Sequence, residues 1–379
     1  MSERGKLQVL FANRQVGTLA MTVNHRVAFQ YSDSWIENGF SLNPFSLPLK
    51  KQVFIPEKVY FDGLFGVFAD SLPDAWGNLL LDRMLRDHGI NSGELTVLDR
   101  LSIVGTSGMG ALTYYPEKNI MKNREPVNLD ELALQCQKIL LPEYSDQLDL
   151  LYELGGTSGG ARPKIMTEVD EEDWIIKFPA HIDRENSGKM EYDYACCAEK
   201  CNISMPETRL FPSDKCEGYF GIKRFDRKKL KKETKRIHML TAAALLELDF
   251  TQPSLDYHSL MKLTKILTDN NMDDLKEMYR RMCFNVFAHN RDDHSKNFSY
   301  LYDEKNRKWR LSPAYDLTYS NTYYGEHTTT VDGNGRNPGM KELIRVGINA
   351  GLKKNWCLEE AKNIQECVKD MLAEYLENS

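Results

Sequence analysis

The run FNVFAHNRDDHSKNFSYL, residues 284–301, is the densest polar cluster of the chain. Within it Asp292 and Asn297 stand five positions apart, in the order D-x-x-x-x-N. That spacing suits phosphoryl transfer, where an aspartate orients the attacking hydroxyl and an asparagine offers a neutral oxygen to a metal on the ATP phosphates. A loop of about five residues lets both side chains face one point. The pattern is common by chance. Its company of His289, Asp293, His294 and Lys296 raises its weight over an ordinary charged turn.

Downstream, YLYDEKNRKWRLSPAYDLTYS reads as a hairpin ending in Ala314-Tyr315-Asp316-Leu317. An acid at a strand end after the loop stands where kinases keep a second metal contact, so Asp316 is the expected metal carboxylate. Magnesium suits it, because Mg²⁺ takes few protein oxygens and completes its shell with phosphate oxygens. Leu317 replaces the usual Phe-Gly continuation, which sets the chain apart from ordinary eukaryotic protein kinases.

Upstream, Lys177 lies inside the apolar strand WIIKF. A lysine there is costly unless its ammonium finds a partner, and nucleotide phosphates provide one. Glu185, Glu191 and Glu199 are nearby acids, and Glu191, opening the MEYDYACC helix, is the expected pairing residue. A snorkelling edge lysine is the plainer alternative. Before this strand comes Gly155-Gly156-Thr157-Ser158-Gly159-Gly160-Ala161-Arg162-Pro163-Lys164. It has neither the Walker order nor G-x-G-x-x-G, but its glycines permit a backbone nest for phosphates at Ser158, Gly159, Gly160 and Ala161.

The elements that would hold these residues are legible from periodicity. LQVLFA, QVGTLAMTV and RVAFQYS alternate like strands of a small antiparallel sheet. DSLPDAWGNLLLDRMLRDHG has helical spacing, with Pro73 near its start and Gly89 past its end. LTVLDRLSIVG reads as a second helix and MGALTYYP as a closing strand. A strand-rich stretch follows from Gly155, and from about Arg227 the chain reads as mostly helical. MYRRMCFNVFAHN before the loop is helical in pattern and FSYLY after it is strand-like.

The chain has 379 residues and a formal net charge of -6. The charge argues against nucleic-acid binding through a broad basic surface. The basic run RKKLKKETKR, 227–236, reads as a solvated loop or, more pointedly, as a patch for an acidic partner. No apolar run spans a bilayer and no secretory layout opens the chain, so a cytoplasmic location without membrane contact is expected. Cys196, Cys197 and Cys201 cluster without zinc-ligand spacing and read as buried structural thiols. Gly156-Thr157-Ser158-Gly159-Gly160 has the letters of G-x-S-x-G, but His289 and His294 are tied to no evident nucleophile, so a serine hydrolase fares worse. A metallohydrolase on H-N-R-D-D-H would leave Lys177 and the glycine run unexplained.

In order along the chain, GTSGGARPK, WIIKFPA, IKRFDR, HNRDDHSKN and LSPAYDL resemble the motifs of the HipA-type kinases of bacterial toxin–antitoxin modules. FADSLPDAWGNLLLDR and LSIVGTSGMGALTYYPE resemble that family's N-terminal domain. The resemblance implies a Ser/Thr kinase using ATP and Mg²⁺, with Asp292 catalytic, Asn297 and Asp316 as metal ligands and Lys177 on the nucleotide. It places Lys223 to Asp226 at a hinge meeting adenine and ribose, with Phe225 as backbone contact, and His294 and Tyr315 near the phosphates. It implies autophosphorylation of the glycine-rich loop at Thr157 or Ser158. The implied partners are a helix-turn-helix antitoxin, operator DNA through that antitoxin, and a protein substrate such as an aminoacyl-tRNA synthetase.

The fold expected is α+β and bilobal, kinase-like, with an N-terminal α+β domain over 1–120. A linker helix and strand-rich lobe would span 121–226, and a helical lobe 227–379. A catalytically silent kinase-fold binding module and a small-molecule phosphotransferase are the competing readings.

Overall fold

The structure is a computed structural model that describes residues 5–376, except 59, 119–127, 142, 144, 146, 181, 182, 184, 185, 232 and 323. The alternating segments form strands as their period requires. Lys6–Phe11 pairs antiparallel with Arg14–Met21, and the sheet extends through Val27–Tyr31 to Val53–Phe54 on one side and Leu112–Tyr115 on the other. Along Lys6–Phe11 every second side chain, Leu7, Val9 and Phe11, is buried. The helix Val97–Val104 starts on a capping box in which Thr96 and Asp99 bond each other's backbone amides.

This sheet domain docks on the helical half. The rings of Phe40 and Tyr302 stack at 4.0 Å. Asn43 Nδ2 donates to the Ala244 carbonyl at 3.1 Å, and His238 Nε2 donates to the Leu42 carbonyl at 2.9 Å. One hydrophobic core therefore runs from Leu7 in the first strand to Leu372 in the last helix.

A second core forms under the strand-rich lobe. Its four-stranded antiparallel sheet runs in the order Lys164–Val169, Glu172–Lys177, Tyr219–Lys223, Thr208–Phe211. Trp76, Leu80, Leu81 and Met84 of the helix Ala75–Asp87 pack there with Ile139, Tyr152, Trp174 and Ile176. That helix lies in the N-terminal stretch by sequence, yet it shares its core with the strand-rich lobe.

From Arg227 the chain is less helical than its pattern suggests. A hairpin of Arg227–Lys229 and Thr234–Arg236 comes first, then a three-stranded sheet of Met239–Thr241, Ser299–Asp303 and Lys308–Leu311. Strands of three residues are too short to show a period. Helices Tyr257–Leu267, Met272–Phe287, Met340–Ala350 and Lys354–Leu376 complete this lobe.

The hairpin corrects the reading of the basic run as a solvated loop or open patch. Arg227 and Arg236 face each other across it, and both donate to the carbonyls of Gly108 and Gly110 in the N-terminal domain, at 2.6–3.0 Å. Two of its lysines find acids, Lys229 on Glu168 at 2.5 Å and Lys235 on Glu304 at 2.8 Å, while Lys228 and Lys231 are exposed. Among the described residues no helix is long and apolar enough to cross a membrane.

Candidate active site

Lys177 ends an inner strand of the four-stranded sheet, with its side chain only 12% exposed. Its ammonium sits 2.5 Å from Glu191 of the helix Ser187–Lys200 and also bonds Asp316. Burial pushes the ammonium toward its neutral form, but Asp316 and Glu191 outweigh this and hold its pKa above the ordinary lysine range. Burial would likewise raise Asp316, yet Lys177 and then Lys164 hold its carboxyl well below the usual carboxylate range. The strand Lys308–Leu311 ends five residues before Asp316, so this acid sits in irregular chain and not at the expected strand end, with a left-handed φ of 58°. Of the other two acids weighed as partners, Glu199 is exposed and Glu185 lies outside the described residues.

The polar run lies between the helix Met272–Phe287 and the strand Ser299–Asp303. Asn297 Nδ2 donates to the Asp292 carbonyl at 2.8 Å, so the loop closes on itself over the expected five residues. This bond leaves Asn297 Oδ1 as the atom a cation could take. Asp292 is exposed to solvent. Partial desolvation raises its pKa, Asp316 and Asp293 add to the rise, and His294 and Arg162 oppose it.

Beneath the loop Asp293 is fully buried. It accepts from Tyr257 Oη at 2.9 Å, His327 Nδ1 at 3.1 Å and the Thr329 amide at 3.0 Å. Asn285 and Asn290 extend that network at 2.9 Å each. The neighbouring acid is thus an anchor, which leaves Asp292 as the carboxylate facing out. Tyr315 Oη bonds the Lys296 carbonyl at 2.6 Å, and its ring lies 5.6 Å from that of Phe225. His294 Nδ1 accepts from the Lys296 amide at 3.3 Å, and the ring rests against Phe250.

The glycine-rich run leaves the helix Leu148–Gly155 and leads into the strand Lys164–Val169. A Cβ on Gly155 would stand 2.1 Å from the Lys164 carbonyl, so only glycine fits that close approach. Thr157 and Ser158 are both buried. Thr157 Oγ1 donates to the Ser107 carbonyl at 3.0 Å and Ser158 Oγ to the Gly155 carbonyl at 2.6 Å. Gly155→Ala forces the run off its seat, and the expected outcome is a chain destabilised by about 1–3 kcal/mol; guanidinium midpoints check it.

Two contributors escaped sequence reasoning. Lys164 sits directly across the sheet from Lys177 and donates to the Gly159 carbonyl at 2.5 Å. Burial, with Lys177 beside it, lowers its pKa to about 8. Asp74 accepts from the Gly160 amide at 2.9 Å and pairs with Lys296 of the polar run. Lys296 also lies 4.5 Å over the Phe250 ring. The inward phase of the strand starting at Lys164 was the available signal for that lysine. None marked Asp74, which is 222 residues from its partner.

Two expected nucleotide contacts are placed differently. Asp226 is 1% exposed and its carboxylate is saturated. Arg224 forks onto it at 2.9 and 2.8 Å, Arg227 reaches it at 2.7 Å and the Gly110 amide at 2.8 Å. It bolts the N-terminal domain to the strand-rich lobe, so no acceptor is left for a ribose. Lys223 lies at the sheet end, 2.9 Å from Glu172. Phe225, beside Tyr315, is the member of this segment that meets the site.

Residues 156–377, more than half of the chain, match the HipA-like C-terminal domain family. The chain belongs to the HipA family. Residues 7–115 match the HipA N-terminal domain. The chain is 24% identical to Y4dM of Sinorhizobium fredii, provisionally named a kinase, over 95% of this HipA chain and 89% of Y4dM. It superposes on the HipA of the Shewanella oneidensis MR-1 toxin–antitoxin complex of HipA, HipB and operator DNA with a TM-score of 0.70. That match has 18% identity and covers 97% of this chain and 90% of the other. The fold is therefore HipA-like, a bilobal kinase-like body carrying an N-terminal α+β domain.

Proposed function

We propose that this HipA-family chain is an ATP- and Mg²⁺-dependent serine/threonine protein kinase of the toxin type. The observation carrying this reading is Lys177 held between Glu191 and Asp316, across from a loop that presents Asp292 and Asn297 together. Asp316, kept ionised, and Asn297 Oδ1 are hard oxygen donors of the kind magnesium takes. Bound magnesium would offset charge on the transferring phosphoryl group.

The chain's own residues do the rest. Lys177 exchanges Asp316 for nucleotide phosphate oxygens while Glu191 keeps it in place, leaving Asp316 free for the cation. Lys164 adds a second positive charge from the facing strand. Amides of Gly159 and Ala161 would donate to the phosphates, joined by those of Ser158 and Gly160 once they leave the Gly155 carbonyl and Asp74; Phe225 and Tyr315 would border the base, and His294 would stand by the phosphates. Asp292 accepts the hydroxyl proton of a serine or threonine as that oxygen attacks.

Thr157 or Ser158 would be the chain's own acceptor. Since both hydroxyls are buried and bonded, either must leave its seat first. The family resemblance and the named company of the Shewanella HipA support a small helix-turn-helix antitoxin as partner, with operator DNA reached through it. An aminoacyl-tRNA synthetase is the substrate class the resemblance supplies.

The test is labelled ATP with wild type and Asp292→Ala, followed by phosphosite mapping. Loss of a general base costs about 10²–10⁴-fold, and the expected result is transfer reduced within that range. Equal labelling would refute the assignment, and nucleotide binding without any transfer by wild type would favour a silent binding module. Because the Asp292 pKa is raised, its active carboxylate is lost as pH falls through a value above the ordinary ~3.9. The acid limb of kcat/KM is therefore expected at higher pH than an unperturbed aspartate would give.

A further inference from the structure

Cys197 and Cys201 lie one helical turn apart at the C-terminal end of the helix Ser187–Lys200. Cys367, from the middle of the helix Lys354–Leu376, meets them. The three Sγ atoms lie within 4.8 Å of one another. Cys197 and Cys201 are buried, and Cys367 is half-buried at the edge. The Met371 sulfur, one turn further on, stands 3.8 Å from Cys367 Sγ. The Cys196 side chain falls outside this group.

The sequence spacing lacks a zinc pattern because the third thiol arrives from 166 positions away, at Cys367 after Cys201. Three sulfurs around one ion at ~2.3 Å stand about 4 Å from each other, which this group meets with small side-chain rotations. A disulfide requires sulfurs at ~2.05 Å, and a bridge between positions four apart on one helix works against its geometry. Among the described residues no acid or histidine joins the cluster, so the donor set is wholly soft.

We infer that Cys197, Cys201 and Cys367 form a three-thiolate site for a soft d¹⁰ cation, Cu(I) or Zn(II), with Met371 within reach as a fourth ligand. Binding converts thiols to thiolates and releases their protons to solvent, and no electron moves. The site joins the helix that carries Glu191 to the C-terminal helix. Tyr375 Oη already ties those helices together on Asp193 at 2.6 Å. A bound ion staples the Glu191 helix in the position that holds Lys177.

The experiment uses the full chain, reduced with a thiol-free reductant, and titrated separately with Zn(II), Cd(II) and Cu(I). Native mass spectrometry counts the ions, and thiolate-to-Cd(II) charge-transfer absorbance reports the ligands. One bound equivalent per chain is expected. It is lost in the Cys197→Ser, Cys201→Ser and Cys367→Ser variants and kept in Cys196→Ser. Cys367→Ala, at the half-exposed position, is the variant least able to disturb the fold, and circular dichroism verifies that it is folded. Met371→Leu is expected to weaken Cu(I) and leave Zn(II) unchanged. The inference fails if wild type binds no equivalent, if the triple serine variant keeps it, or if air-exposed protein shows a disulfide within the trio and no ion. Ion counting is independent of phosphate transfer, so this result stands or falls apart from the kinase reading.

Discussion

Lys177→Met is expected to lower phosphate transfer at least ~10²-fold and to destabilise the chain by about 3 kcal/mol. The two effects have one source. Lys177 neutralises Glu191, whose side chain is 5% exposed, and Asp316, at 36%. Breaking a buried pair by removing one partner costs about 3–5 kcal/mol, because it strands the other charge. The lower end applies here, since Asp316 reaches water and can hydrate. Methionine keeps the apolar stem against its neighbours, so packing changes little. Adding Glu191→Gln to Lys177→Met is expected to return part of the stability and none of the activity, because it removes an orphaned charge without restoring a phosphate ligand. Guanidinium midpoints and labelled-ATP transfer measure the two effects. A midpoint unmoved by Lys177→Met would mean that the acids are not charged in the folded chain.

Asp226→Asn is expected to cost about 3–5 kcal/mol without touching a catalytic group. Its carboxylate is the shared acceptor of Arg224, Arg227 and the Gly110 amide. An amide of the same shape keeps one oxygen, loses the charge and presents a donor to a guanidinium. Burial alone would raise the Asp226 pKa, but Arg224 and Arg227 hold it far below the usual carboxylate range. A depressed folded pKa contributes stability above the unfolded value of ~3.9, and that contribution is lost as pH falls below it. The gap between wild type and Asp226→Asn, large at neutral pH, therefore narrows in thermal scans taken below about pH 4. A gap independent of pH would show that geometry, and not charge, carries the cost.

The sequence was most legible where chemistry is local. Alternation in LQVLFA and QVGTLAMTV marks a half-buried sheet, and the structure has those strands. Asp292 and Asn297 could be read together because the loop closes through a single bond within five residues. Lys177 stood out because a lysine in an apolar strand demands a partner, although which acid supplied it depended on packing. What stayed hidden is held together across the fold. Asp226 and its Gly110 amide are 116 positions apart, and the IKRFDR segment alone gives no hint that its aspartate is spent on the N-terminal domain. Asp293 and Asp292 are identical neighbours in sequence, and only Tyr257, His327 and Thr329 distinguish anchor from candidate base. The basic run looked like surface because charge composition does not reveal that Arg227 and Arg236 spend their guanidinium groups on buried carbonyls.

Trp76 and Leu80 come before the closing strand of the first sheet, yet they fill the core beneath Trp174 and Ile176. Just ahead of them Asp74 holds both the Gly160 amide and Lys296. The first 115 residues are thus not a cap that descent could trade freely. A chimera joining that segment of one relative to the remainder of another would inherit half of a shared core from each parent, along with one side of the contacts that seat the glycine-rich run. Surfaces for partners can diverge on the outer strands, but the 74–87 stretch must drift in step with 129–178.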